Sequence, residues 1–408
     1  MQLSIDPVIA SRIKTAWAAL PPGKRAELAP ALMQANEQAL NIIQSKTPPS
    51  ARIAAQHLML AQSALSDDAD GILRGLTPGV VFATAADGTM LGTGKYEVFD
   101  PGWAGAFADF LESLLTGKHA FMGIPATVPI DDNVQIGLVG DWGTGDWRTP
   151  ANPAPSTDVR SKMEFLHLDI NIHLGDVYYG GTGDQELHNF VKIWPKASFG
   201  SFALNSNHEM YSGAKPYFDA INGAPFGKQN GCSFFALENT NWVIVGLDSA
   251  YFSPEAGLYM DGSLGPAGGT QVIFLQQQVA KGKKVIVLTH HNGLAEDGQS
   301  KVDLFDQVMS GFPAGSGPAL WYWGHAHAGA VYKPYAAVNT RCCGHGALPW
   351  GYASSLLNNS VLWFEKRPAN DPDIPQRVLN GFAVLRLNGP NVQETFYDEN
   401  GGIAWQSP

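Results

Sequence analysis

The stretch Leu174-Gly175-Asp176-Val177-Tyr178-Tyr179-Gly180 begins with the last residue of a strand-forming apolar run, residues 170–174. Its Gly-Asp pair ends that run. Aspartate and glycine are poor strand formers, so the sequence predicts that Gly175 and Asp176 lie in the loop just beyond the carboxyl end of that strand. Loops at this position carry the chemistry of many α/β proteins. Taken alone, the pattern is more typical of a turn in which an aspartate hydrogen-bonds to its own backbone.

The composition is that of a large globular protein. The 408 residues include 15% charged residues and carry a formal net charge of −11. This balance argues against wholesale disorder and against a surface that coats nucleic acid or an anionic membrane. A small anionic substrate is still compatible with the charge, because bound metal cations would reverse its sign locally. The three cysteines, Cys232, Cys342 and Cys343, cannot form a disulfide framework and are predicted to be mostly buried thiols.

The N-terminus has no basic cluster followed by an apolar core, and no run of about eighteen apolar residues occurs. The sequence therefore predicts neither a signal peptide nor a transmembrane segment. A cytoplasmic protein is the default expectation, although a chain whose leader had been removed would look the same.

Residues 1–125 are predicted to form a mainly helical accessory or lid domain. Apolar spacing predicts helices over residues 8–20, 23–45 and 50–64, with Ser50 as the N-cap of the third. A hairpin around Asp87-Gly88 and a helix over 103–115 are expected to follow. No cluster in this part has ligand or nucleophile spacing, so packing and homo-oligomer contact are the expected roles, with a lid as the alternative.

Residues 126–408 are predicted to form an α/β layered domain, because short apolar runs alternate there with helical stretches and loops rich in glycine, proline and asparagine. Strands are expected at 134–140, 170–174, 201–204, 233–237, 242–247, 284–288, 319–323, 382–387 and 394–397. Helices are expected at 184–194, 270–281 and 302–312, and proline-rich loops at 149–157 and 368–375.

Four further polar interruptions follow apolar runs in this part of the chain. They are Gly140-Asp141-Trp142-Gly143, Ser206-Asn207-His208-Glu209, Thr289-His290-His291-Asn292 and Gly324-His325-Ala326-His327. Each has a simpler interpretation in isolation: a phosphate-cradling loop, a helix cap, or histidines buried in a core. The His-x-His pair is the most specific, because alternate residues of an extended backbone point to the same side.

Together the five interruptions predict a site for two metal ions. They supply more imidazole and oxygen donors than one tetrahedral zinc requires. Asp176 is predicted to bridge two cations roughly 3.5 Å apart, which would hold hydroxide as a nucleophile near neutral pH and clamp a tetrahedral anion. A serine nucleophile is then unnecessary, and no Gly-x-Ser-x-Gly elbow is present.

This order of motifs resembles the calcineurin-like metallophosphoesterases, and most closely the purple acid phosphatases, over residues 134–327. The resemblance implies an α/β fold in which a β-sandwich of two mixed sheets is flanked by helices. It implies an Fe(III) site and a neighbouring site for divalent iron, manganese or zinc. The implied Fe(III) ligands are Asp141, Asp176, Tyr179 and His327, and the implied divalent-metal ligands are Asp176, Asn207, His290 and His325. His208 would bind the substrate and protonate the leaving group.

Two features select the subgroup. Asp141-Trp142-Gly143 lacks the histidine of the usual Asp-x-His motif, and Tyr179 stands where purple acid phosphatases keep their iron-binding tyrosinate. Tyr178 is expected to point the other way and to pack. His290 is preferred over His291 as the ligand because its position matches the register of the family motif.

Two more residues are candidates for substrate binding. Arg148 could meet a phosphate bidentately or form a surface salt bridge, and His345 lies in the loop that borders the site in this family. The predicted function is hydrolysis of a small phosphorylated substrate, a phosphomonoester first. The alternatives are a phosphodiesterase acting on cyclic nucleotides or lipid head groups, and a non-catalytic metal-binding interaction module.

Overall fold

Two mixed β-sheets form the centre of the protein in a computed structural model that describes residues 3–49, 53–66 and 71–408. The strands are β1 (Val81–Thr84), β2 (Met90–Gly92), β3 (Val128–Pro129), β4 (Asn133–Val139), β5 (Ile170–His173), β6 (Gly200–Ala203), β7 (Phe235–Glu238), β8 (Trp242–Leu247), β9 (Lys284–Thr289), β10 (Leu320–Trp323), β11 (Gly329–Tyr332), β12 (Asn339–Cys343), β13 (Val361–Phe364), β14 (Gly381–Asn388), β15 (Asn391–Asp398) and β16 (Ile403–Gln406).

Helices precede the sheets and cover their faces. The α-helices are α1 (Pro7–Ala19), α2 (Pro22–Ser45), α3 (Gln56–Leu65), α4 (Trp103–Thr116), α5 (Pro155–Phe165), α6 (Gly183–Gln185), α7 (Asn207–Tyr211), α8 (Lys215–Asn222), α9 (Thr270–Val279) and α10 (Asp303–Met309). A π-helical turn lies at Glu186–Phe190, and 3-10 turns lie at Val191–Ile193, Gly227–Gln229, Glu255–Gly257 and Ser354–Leu356. Among the described residues, no helix combines the length and the apolar character needed to cross a bilayer.

The strand order brings several carboxyl ends to one edge of each sheet. The larger sheet has the order β13-β11-β12-β10-β9-β8-β7-β3, and the smaller has the order β16-β15-β14-β4-β5-β6. β4, β5 and β6 are mutually parallel, as are β8, β9 and β10. Antiparallel pairs such as β14 with β4 make both sheets mixed. The predicted architecture, an α/β fold with two mixed sheets flanked by helices, is therefore confirmed.

The two sheets face each other through a continuous apolar layer. Ile136 and Leu138 of β4 belong to the same buried cluster as Ile286 and Leu288 of β9. These residues alternate along their strands, as expected for side chains that point to one face. The intervening Val285 and Val287 belong to a second cluster, with residues of α9 and α10. Because both faces of β9 are covered, its sequence is a continuous aliphatic run.

The N-terminal helices share a core with the loops that follow the smaller sheet. Phe107 and Phe110 of α4 belong to one buried cluster with Tyr178 and Tyr211. Arg12 joins α1 to α4 through ion pairs with Asp109 and Glu112 at 2.6 and 2.7 Å. Packing of this kind places the N-terminal region beside the strand ends rather than at the far side of the sandwich.

Several predicted elements differ from the structure in their limits. The third helix begins at Gln56, with residues 53–55 not helical, and the proposed cap Ser50 lies outside the described residues. The helix predicted over 184–194 is three short turns. Residues 155–157, predicted as loop, begin α5, since Pro155 fits the first turn of a helix.

Candidate metal centre

The five motif loops converge at the carboxyl edge of the two sheets. Each chemically important side chain follows the end of a strand or stands at the start of the helix that follows it. The residues, with the preceding strand, are Asp141 after β4, Asp176 after β5, Asn207 and His208 after β6, His290 after β9, and His325 and His327 after β10. Parallel pairing of β4, β5 and β6 and of β9 and β10 explains why loops far apart in sequence meet here.

Glycines allow the loops to approach one another closely. A Cβ atom built on Gly175 would lie 2.6 Å from Nδ1 of His290, and one built on Gly324 would lie 2.7 Å from Oδ2 of Asp141. Gly175 also has a φ of +106°, which side chains rarely tolerate. The Gly-Asp and Gly-His pairs of the motifs are thus required by space as much as by chemistry.

Two buried carboxylates lie at the centre of the cluster, and His327 is close to both. Its Nε2 atom is 3.2 Å from Oδ1 of Asp141 and 3.9 Å from Oδ2 of Asp176. Burial, followed by the charge of Asp176, raises the pKa of Asp141 to about 8. Burial acts to raise the pKa of Asp176 as well, but the imidazoles of His208 and His290 outweigh it and hold that pKa well below its ordinary value.

This arrangement suits a bound cation. Two close buried carboxylates cannot both ionise cheaply, because each charge is poorly solvated and repels the other. A metal ion between them would keep both ionised. His325 strengthens the geometry, since its backbone N–H donates to Oδ2 of Asp141 at 2.9 Å and thereby orients that carboxylate.

The donor set around His290 provides a separate test of metal binding. Its Nδ1 atom donates to the carbonyl of Leu174 at 2.8 Å, which leaves Nε2 with a lone pair in the neutral imidazole. Burial lowers the pKa of His290 and so favours that neutral form. Nε2 nevertheless faces Oδ1 of Asn207 at 2.9 Å and Oδ1 of Asp176 at 3.3 Å. These three converging acceptors, Nε2 of His290, Oδ1 of Asn207 and Oδ1 of Asp176, would be satisfied by a bound cation.

His291 is held differently from His290. Its Nδ1 atom is 2.8 Å from the hydroxyl of Ser249, and its Nε2 atom is 2.8 Å from the carbonyl of Tyr259. Ring nitrogens of His290, His291 and His325 still lie within 4.8 Å of one another. The Ser249 hydroxyl can donate to Nδ1 of His291 while Nε2 donates to the Tyr259 carbonyl, so this ring needs no cation, whereas Nε2 of His290 faces only acceptors. The geometry therefore favours His290 as the ligand.

His208 lies beside the carboxylates without joining them. Its Nδ1 atom is 2.6 Å from the carbonyl of Tyr179, and its Nε2 atom is 3.8 Å from Oδ2 of Asp176. The carbonyl fixes the ring so that Nδ1 donates and Nε2 is directed to the carboxylate side. The tight loop is further held by Glu209, which accepts from the backbone N–H of Asp176 at 3.1 Å.

The five motif loops that converge here lie within one domain of the chain. Residues 134–329 match the family model of the calcineurin-like phosphoesterases, and this range includes all five motif loops. The chain carries a calcineurin-like phosphoesterase domain. The predicted resemblance to the calcineurin-like phosphoesterases is thereby confirmed for residues 134–329.

Solved structures with similarity to the chain include two phosphatases. Purple acid phosphatase PPD1 from yellow lupin seeds is 12% identical, with a TM-score of 0.49, over 67% of this chain and 53% of that one. A dimetal phosphatase from Danio rerio is 12% identical, with a TM-score of 0.42, over 65% of this chain and 95% of that one. The chain thus matches about half the length of the lupin enzyme.

A third similar structure is GAP50, described as the anchor in the inner membrane complex of Plasmodium. It is 12% identical, with a TM-score of 0.46, over 67% of this chain and 88% of that one. Similarities this low carry no argument about substrate or metals. Comparison with curated protein sequences gave no match.

The structure exchanges the positions that were predicted for the two neighbouring tyrosines, Tyr178 and Tyr179. The hydroxyl of Tyr178 donates to Oδ2 of Asp176 at 2.9 Å and lies 3.3 Å from Oδ1 of Asp141 and 3.2 Å from Nε2 of His327. The hydroxyl of Tyr179 instead donates to Asp100 at 2.6 Å. The predicted placement of Tyr179 in the cluster is therefore wrong, as is the expectation that Tyr178 only packs.

The two proposed substrate contacts are also placed elsewhere. Arg148 is 5% exposed and forms an ion pair with Asp371 at 2.8 Å, so it is neither a surface residue nor part of the cavity lining. His345 is buried beside Phe396 and against Gly329 and also lies outside that lining. Both predictions are corrected: partners distant in sequence hold these side chains away from the cluster.

A cavity of about 60 Å³ adjoins this cluster of carboxylates and histidines. Its lining combines members of the cluster with residues that sequence reasoning missed. The lining residues are Asp176, Asn207, His208, His325 and His327 from the cluster, and Ile53, Ala54, Ala55, Gln56, His57, Asp87, Thr89, Tyr211, Met260, Glu296, Ala326 and Trp350 from elsewhere. The aromatic ring of Trp350 lies 4.6 Å from that of His327.

Proposed function

We propose that this protein hydrolyses phosphate esters with the help of two metal ions and acts first on phosphomonoesters. The observation that supports this most is the convergence of acceptor atoms from Asp176, Asn207 and His290 beside the buried pair Asp141 and Asp176. The cluster adjoins a small cavity that also reaches His208. A site with this donor chemistry, placed against such a cavity, suits a small anionic substrate.

Seven residues would hold the two metal ions. One ion would be held by Asp141, Asp176 and His327 together with Tyr178, whose hydroxyl contacts all three. The other would be held by Asp176, Asn207, His290 and His325. Because a phenolate favours a hard trivalent ion, we assign Fe(III) to the Tyr178 side and divalent iron, manganese or zinc to the other.

Bound metal ions would supply an activated water molecule and positive charge for the phosphoryl oxygens. The chain itself would position the leaving group. His208 is 7% exposed, lines the cavity and has its Nδ1 atom committed to the carbonyl of Tyr179. Its Nε2 atom is the one available to hold a proton and deliver it to the departing alcohol oxygen.

The small volume of the cavity favours monoesters over diesters. Residues 53–57 lie in its lining together with Asp87 and Thr89, so the region before residue 126 borders the substrate space. A diester must place a second organic group near the metals, and a cavity of about 60 Å³ leaves little room for it. We therefore assign residues 1–125 a lid role over the domain formed by residues 126–408.

A panel of aryl phosphate monoesters and diesters tests the proposal. Protein supplied separately with iron, manganese and zinc should hydrolyse monoesters faster than diesters. His208→Ala should lower kcat by about 10²–10⁴-fold while leaving the bound metal content unchanged. Hydrolysis of diesters alone would exclude the monoesterase, and no hydrolysis with any of the three metals would exclude the enzyme itself.

A further inference from the structure

The N-terminal end of α3 opens into the cavity beside the metal centre. Ala55 is the N-cap residue, and no side chain within residues 3–49, 53–66 and 71–408 caps the helix. Residues 53–57 all belong to the cavity lining. The backbone N–H groups of Gln56 and His57 have no acceptor among residues 3–49, 53–66 and 71–408. Free N–H groups and the helix dipole together make this end of a helix favourable for an anion.

His57 is a second and independent sign of a ligand at this place. His57 belongs to the cavity lining, the residue is 2% exposed, and neither ring nitrogen has a hydrogen-bond partner in the described part of the chain. Its ring packs on Tyr211 at 4.8 Å. Buried polar groups are nearly always hydrogen-bonded. The imidazole of His57 is therefore expected to donate a hydrogen bond to an oxygen atom of a ligand in the cavity.

His57 is also linked by packing to the metal centre. The Tyr211 ring lies between it and the cluster, with ring centroids 4.8 Å from His57 and 5.1 Å from His208. The hydroxyl of Tyr211 is 3.2 Å from the side-chain nitrogen of Asn207. A ligand in the cavity can therefore reach the metal side and the start of α3 at the same time.

We propose that His57 and the first turn of α3 bind one phosphoryl oxygen of a phosphomonoester dianion whose other oxygens face the metal centre. This inference rests on the proposed function and adds the residues that select the substrate class. A terminal phosphoryl group has three unsubstituted oxygens, so one would remain for α3 if the other two contacted bound metal ions. A diester has only two, and its second organic group would occupy the position of the third.

His57→Phe tests the side-chain part of this subsite. Phenylalanine keeps the packing on Tyr211 but removes both ring nitrogens. The matched control is His173→Phe, because His173 is likewise fully buried, has two ring nitrogens without partners among the described residues and lies outside the cavity lining. Inorganic phosphate is the probe, and its Kd for the full-length manganese-loaded protein is measured by calorimetry. We expect about tenfold weaker binding, or ~1.4 kcal/mol, in His57→Phe only.

A second pair of variants tests the helix end. Ala55→Asp should cap α3 and raise its stability, yet its negative charge should compete with phosphate for the same N–H groups. Ala55→Asn caps the helix without the charge. Phosphate binding should therefore weaken by about tenfold or more in Ala55→Asp relative to Ala55→Asn, while the melting temperature of both should equal or exceed that of the wild type.

The outcomes separate this inference from the proposed function. Unchanged phosphate affinity in His57→Phe, or an equal loss in His173→Phe, overturns the subsite. A wild-type protein that binds manganese but no phosphate overturns it as well, whereas ester hydrolysis is judged separately by the substrate panel. If His57→Phe does not fold, His57→Gln and the Ala55 pair decide, and equal phosphate affinity in both Ala55 variants overturns the subsite. Equal metal content in all variants excludes loss of the metals as the cause.

Discussion

Exchange of the two neighbouring tyrosines for phenylalanine gives the sharpest test of the metal centre. Tyr178→Phe removes a fully buried hydroxyl that donates to Asp176 at 2.9 Å and also contacts Asp141 and His327. Leaving buried groups without a partner costs about 1–3 kcal/mol in the free energy of unfolding. Tyr179→Phe removes a hydrogen bond of 2.6 Å to a carboxylate, Asp100, worth about 1.5–3 kcal/mol.

The two losses of stability overlap, so thermal unfolding alone cannot separate these variants. The ionisation state of each tyrosine side chain can separate them. Burial, followed by the charges of Asp176 and Asp141, raises the pKa of Tyr178 well above its ordinary value. A trivalent cation held by the same carboxylates would reverse this effect, because its own charge stabilises the phenolate. Tyr178 would then be a tyrosinate bound to iron, whereas Tyr179 would remain a neutral phenol.

The assay is the visible spectrum of protein loaded with Fe(III) and one divalent metal, with the metal content measured in parallel. We expect a broad tyrosinate-to-iron absorption band in the wild type and in Tyr179→Phe, and its loss in Tyr178→Phe. Loss of the band in Tyr179→Phe with its retention in Tyr178→Phe would refute the placement of the two hydroxyls. An iron-loaded wild type without any band would refute the iron–tyrosinate assignment and leave the broader phosphoesterase proposal intact.

Three further predictions concern ligands, metals and pH. His290→Ala should lose one bound metal ion per chain, whereas His291→Ala should retain both and lose about 1–3 kcal/mol of stability; metal analysis of the purified variants distinguishes them. Manganese at a hundredfold excess over its Kd should stabilise the folded protein by about 2.7 kcal/mol, and a chelator should abolish the gain in melting temperature. Burial raises the pKa of Glu186 from 4.5 to about 8, so the folded state retains a proton that the unfolded chain releases. Stability should therefore fall as pH rises through that interval, and Glu186→Gln should be more stable than the wild type at pH 7 and equally stable below about pH 4 in thermal unfolding.

The sandwich could be predicted from sequence wherever its strands are buried on both faces. β8 and β9 are continuous apolar runs, and their limits at Trp242–Leu247 and Lys284–Thr289 agree with the prediction to within one residue. One strand that was missed, β12, carries a charged residue whose partner is distant in sequence. Arg341 in β12 is buried because it pairs with Glu394 of β15 at 2.9 Å, and no local pattern shows such a pair.

The same limit explains which site residues could be predicted. The motif loops at strand ends can be recognised in the sequence itself, because polar residues directly follow an apolar run there. Arg148 was misplaced because the Asp371 carboxylate that holds it lies 223 residues away. His57 could not be found, since a single histidine in an N-terminal helix has no ligand spacing, and only tertiary packing brings it into the cavity.

The tyrosine pair shows what motif spacing can and cannot convey. Alternation of side chains holds only while the backbone stays extended, and β5 ends at His173. Gly175 and Asp176 then adopt φ values of +106° and +81°, so the direction of the next side chains cannot be counted from the strand. The hydrogen bond from the Tyr179 hydroxyl to Asp100 fixes the direction of that side chain instead. Because Asp100 precedes α4, the N-terminal region not only borders the cavity but also helps decide which tyrosine faces the carboxylates.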